Sequence, residues 1–104
     1  MATHKSDGHT IDVCSVVPGM QNRLLMVTVD GDQRLYASIW TRENAWNAWE
    51  GEPGGWFPAE TLRFTVNDND TAHDGRVEFD YSALTGKVRY RVVLRDNEIA
   101  AGEL

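Results

Sequence analysis

Residues 76–95 read R-V-E-F-D-Y-S-A-L-T-G-K-V-R-Y-R-V-V-L-R, and their alternation decides the fold class. Val77, Phe79 and Tyr81 interleave with Arg76, Glu78 and Asp80, and Val88, Tyr90, Val92 and Leu94 interleave with Lys87, Arg89 and Arg91. A side-chain period of two is that of a half-buried strand. Paired antiparallel across a four-residue loop, Ala83 to Gly86, the two runs set Val77 against Val92, Phe79 against Tyr90 and Tyr81 against Val88. The same register sets Glu78 against Arg91 and Asp80 against Arg89. One register therefore satisfies both faces, with opposite charges matched at about 0.2–1 kcal/mol per pair. An anion site built on Arg89 and Arg91 is the weaker reading, because those partners already neutralise them.

Working back along the chain, Thr61 to Asn67 is a further strand with Leu62, Phe64 and Val66 on one side. Continuing that parity places Asp68 and Asp70 on the core side, where two carboxylates need compensation. Backbone amides of an Asx turn in N-D-N-D are favoured for that role over a calcium ion bound through oxygen ligands. Earlier still, Arg23 to Val29 contains the run L-L-M-V-T-V, expected to be buried on both faces and central in a sheet. It meets Asp30-Gly31, a strong hairpin signal, and returns through Leu35 to Trp40. A two-residue and a three-residue loop are both open there, and the choice exchanges the faces of Leu35 and Tyr36. Thr10 to Val17 supplies a first strand, and Met1 to His9 is expected to be a flexible polar tail. His4, Asp7 and His9 lie in that tail without the spacing of a zinc site.

Between the strands lies W-T-R-E-N-A-W-N-A-W-E-G-E-P-G-G-W-F-P, residues 40–58, with all four tryptophans, three of the nine glycines and two of the three prolines. Glu43 to Glu50 is expected to form a short helix capped by Thr41, with Trp46 and Trp49 on one face. Those two rings serve best as a lid over the sheets. Trp56 and Phe57, between Gly-Gly and Pro58, are expected in an exposed loop, where an aromatic plane suits recognition.

The 104 residues suit one domain, 10–104, of about seven short strands and one helix: an all-β antiparallel β-sandwich, with a jelly-roll or small barrel as alternatives. Sixteen acids against ten bases give a formal net charge of −6, which disfavours nucleic acid and anionic membrane partners. Cys14 is the single cysteine, so no internal disulfide forms, and the N-terminus has no apolar signal region. The expectation is a cytoplasmic protein or a domain excised from a longer chain.

Residues 62–84, L-R-F-T-V-N-D-N-D-T-A-H-D-G-R-V-E-F-D-Y-S-A-L, resemble the strand, acidic loop and strand of C2-type β-sandwich modules. That resemblance implies calcium as cofactor, held by Asp68, Asp70 and Asp74. It covers less than a quarter of the chain, with a shorter loop and no complementary acidic loop near the N-terminus, so the chain is not assigned to that family.

No G-x-S-x-G, glycine-rich phosphate loop or H-E-x-x-H occurs, and His73 beside acids is a loop histidine before it is a base. The function expected is non-catalytic binding, with carbohydrate as first ligand class. The ligand-binding set is Trp40, Arg42, Trp46, Trp49, Glu50, Glu52, Trp56 and Phe57. Two alternatives stand beside it: a small acidic inhibitor or immunity-type protein that binds a basic protein partner, and a small-molecule enzyme or cyclase with a tryptophan-lined cavity.

Overall fold

The computed structural model describes residues 2–18, 22–40 and 54–104. Eight strands follow one another: β1 (Ala2–Ser6), β2 (His9–Pro18), β3 (Asn22–Val29), β4 (Gln33–Trp40), β5 (Trp56–Asp68), β6 (Thr71–Ser82), β7 (Val88–Leu94) and β8 (Asn97–Glu103). They form two antiparallel four-stranded sheets in the orders β1-β2-β3-β4 and β5-β6-β7-β8. Each sheet is a plain meander, so the jelly-roll alternative does not hold. The expected helix over Glu43 to Glu50 lies outside the described residues.

The inner faces meet in one core. Ile11, Val13, Leu25, Val27, Val77, Phe79, Val88 and Val92 are each no more than 1 % exposed. The β6–β7 hairpin has the register expected from its alternation, with Val77 opposite Val92, Phe79 opposite Tyr90, Glu78 opposite Arg91 and Asp80 opposite Arg89. In β3 the inner residues Leu25, Val27 and Val29 are buried, while Leu24 and Met26 on the other face are only half-buried. The strand is flanked by β2 and β4 as expected, but one face of it is not covered by a second layer. Val29 pairs with Gln33, so Asp30 to Asp32 is a three-residue loop. Leu35 accordingly packs inward and Tyr36 stands 54 % exposed.

Two further elements differ from expectation. Residues 2–6 are not a tail, because Ser6 pairs with His9 and Ala2 with Val13 across an Asp7-Gly8 turn. Asp7 and Gly8 have φ of 52° and 82°, the paired left-handed conformation of a tight hairpin turn. The second difference is β5, which begins at Trp56 instead of Thr61. Pro58 sits on the edge strand of its sheet and next to a register shift between Pro58 and Glu60, the two settings in which a strand accommodates proline.

The turns cluster charges. Asn69 and Asp70 close β5–β6 with φ of 47° and 64°, and Arg95 and Asp96 close β7–β8 with 52° and 62°. A non-glycine residue in that region carries strain of about 1–2 kcal/mol. Arg95 is held by contacts from both sheets, to Asp7 at 2.6 Å and to Asp68 at 3.7 Å.

Candidate functional site

The outer face of the second sheet carries a groove of ≈ 490 Å³. Its walls come from four consecutive strands: Pro58, Glu60 and Thr61 from β5, Glu78 and Asp80 from β6, Arg89 and Arg91 from β7, Glu98 and Ala101 from β8. The alternation that buries Val77, Phe79 and Tyr81 sends Glu78 and Asp80 outward, and the hairpin register brings Arg91 and Arg89 across from them.

These groups are paired. Arg89 Nε donates to Asp80 Oδ2 at 2.9 Å, and Arg91 Nε donates to Glu78 Oε2 at 3.1 Å. Arg76 Nε reaches Glu78 Oε1 at 3.3 Å, and Arg91 lies 3.8 Å from Glu98. The Arg89 guanidinium also sits over the Trp56 indole, 4.4 Å from its centroid. Trp56, Arg89 and Asp80 thus form a chain of ring, cation and carboxylate beside the groove. A cation over an indole face is attracted by the ring quadrupole, at about 0.5–1 kcal/mol where solvent reaches.

The hydrogen bond from Arg91 holds the Glu78 carboxyl below the usual carboxylate range; burial opposes this and Arg76 reinforces it. Asp30 is lowered too, chiefly by the Thr10 backbone N–H at 2.8 Å, with His9 at 2.8 Å adding to it. Because both folded pKa values lie below the unfolded ones, their contribution to stability is complete at neutral pH. It is lost as pH falls from the ordinary range, about 4, toward the lower folded values. The melting temperature is therefore expected to fall below about pH 4, and Glu78→Gln to make that fall shallower. An acid profile unchanged by Glu78→Gln, measured by circular dichroism, counts against the Arg91 pairing.

The expected site residues separate. Trp56 points outward beside the groove, whereas its neighbour Phe57 turns into the core and packs edge-on against Tyr81 at 6.0 Å. Trp56 lies in a strand and is half-buried, not in an exposed loop. Trp40 ends β4 on the outer face of the other sheet, 51 % exposed, and shares that sheet's surface with Tyr36 and Val16. Arg42, Trp46, Trp49, Glu50 and Glu52 lie outside the described residues. Asp68, Asp70 and Asp74 do not gather: among the described residues no three His, Cys, Asp or Glu side chains form a group that could hold a metal ion. Asp70 sits in the two-residue turn, Asp74 is exposed on β6, and Asp68 faces the Arg95 guanidinium, so a side chain supplies positive charge beside Asp68, a partner that neither the favoured Asx turn nor the calcium alternative named. His73 belongs to β6, opposite Val66, and not to a loop. His4, Asp7 and His9 go three separate ways, to Tyr90 at 2.7 Å, to Arg95 and to Asp30.

Sequence reasoning passed over the groove itself, although it paired the residues that line it. The signal was present in the parity: Trp56, Asp80 and Arg89 share one face once β5 is extended back to residue 56. No family model, curated protein or solved structure matches this chain.

Proposed function

We propose that the chain is a non-catalytic binding module that takes a neutral, hydroxyl-rich ligand, a carbohydrate, in the groove beside Trp56. The observation that carries this reading is the Trp56–Arg89–Asp80 chain at the edge of a groove lined by paired charges. An indole body supplies large contact area at low entropy cost, and the carboxylates keep free lone pairs for ligand hydroxyls. Four carboxylates, Glu60, Glu78, Asp80 and Glu98, stand with two guanidiniums in the wall, so an anionic ligand is repelled and a neutral one is not.

The test is titration calorimetry against a panel of neutral glycans at low and high salt. Binding is expected to change little with ionic strength, and Trp56→Ala to weaken it about tenfold, equivalent to about 1.4 kcal/mol of lost contact. If no glycan binds, or if Trp56→Ala binds as tightly as the parent, the reading fails.

A second reading, a small acidic protein that binds a basic protein partner, draws on the exposed Val16, Tyr36 and Trp40 of the first sheet. Aromatic residues are enriched at protein interfaces. A steep fall of association rate with added salt favours this reading over the glycan one.

A further inference from the structure

We infer that the first sheet holds an oxyanion, a carboxylate or phosphate group, between Ser15 and Arg23 on its core-facing side. Arg23 lies opposite the buried Ile39, and Ser15 lies opposite the buried Leu25. Residues directly opposite in an antiparallel pair share a face, so both side chains start out on the inner face. Arg23 is two residues from Leu25, the partner of Ser15, and a register shift between Ser15 and Val17 sets Arg23 opposite Pro18, so the two side chains flank one irregular stretch of the β2–β3 ladder.

Both carry a polar atom that is buried and has no hydrogen-bond partner, Ser15 Oγ and Arg23 Nη1. Among the described residues these are the two such atoms, and both belong to the inner face of the β2–β3 pair. A guanidinium has five donors and no acceptor, so a buried Nη1 is satisfied only by an acceptor brought to it. Leaving a charged donor unmet is costly, and most buried polar groups are paired. A guanidinium fork matches a carboxylate or phosphate in two parallel hydrogen bonds, and the Ser15 hydroxyl has one donor to add. Both residues as a whole stay partly exposed, which leaves an approach from solvent. In a chain of net charge −6, an unpaired inward cation is also where an anion meets the least repulsion.

The test is the melting temperature of the full chain in an oxyanion-free chloride buffer at pH 7, with acetate or inorganic phosphate added at rising millimolar concentration. The melting temperature is expected to rise with oxyanion concentration, as it does when a ligand binds the folded state alone. Arg23→Met is expected to abolish that rise while melting no lower than the parent without anion, because it removes an unmet buried donor. Ser15→Ala is expected to weaken the response about threefold. Trp56→Ala is expected to keep it in full, which separates this site from the glycan groove. No rise in the parent, as when only a water occupies the site, overturns the inference, and so does an equal rise in Arg23→Met.

Discussion

Phe79→Ala is expected to destabilise the protein by about 3–5 kcal/mol. Among the described residues Phe79 is the largest of the fully buried side chains, 1 % exposed, at the centre of β6 with Tyr90 across from it on β7 and Glu60 on β5. Removing its ring takes away the transfer free energy of the buried atoms. It also leaves a void that a two-sheet core closes only in part, since both sheets are tied by their own ladders. Domains of this size are stable by about 5–15 kcal/mol in total, so the variant keeps little margin. Urea unfolding at neutral pH measures it, and a loss under about 1 kcal/mol would mean that the core repacks freely around residue 79.

Gly75→Ala is expected to cost about 1–3 kcal/mol, the range for forcing extra volume into a packed core. Gly75 lies on β6 directly opposite Phe64 of β5, and the Phe64 ring covers it so closely that a Cβ at 75 would come within 2.3 Å of the ring. Here the glycine serves space and not backbone freedom. The ring has no flexible end to swing aside, and it is itself 6 % exposed, so it must leave its place in the core or push the strand outward. The sharper test is a double-mutant cycle with Phe64→Leu. If the clash is the cause, Gly75→Ala costs much less in the Phe64→Leu background, and equal costs in both backgrounds would point elsewhere.

The same pair shows how legible the fold was. Phe64 and Val66 were readable as inward residues from their alternation with Arg63 and Thr65, because side-chain direction in a strand follows from backbone geometry and needs no knowledge of neighbours. That Gly75 must be a glycine was not readable, because its reason is a ring eleven positions away. The acidic stretch behaved alike. Asn69-Asp70 declared a turn, yet the compensation for Asp68 came from Arg95, on another hairpin. The candidate site was legible in its pairs and not in its place. Glu78 with Arg91 and Asp80 with Arg89 followed from one hairpin register. Their position beside Trp56 required knowing that β5 runs back through Pro58, which a local reading of Gly-Gly and proline disfavours.

By itself the chain's order of residues determined the all-β class, the strands β2 to β4, the later part of β5, and the β6–β7 register, all of which rest on period-two alternation and turn chemistry acting within a few residues. Tertiary structure alone decided that residues 2–6 join a sheet, that Trp56 and Phe57 part to opposite faces, and that four strands together wall a groove. Those outcomes depend on which strands become neighbours, and that is set by packing two sheets over one core, where contacts between distant residues outweigh local preference.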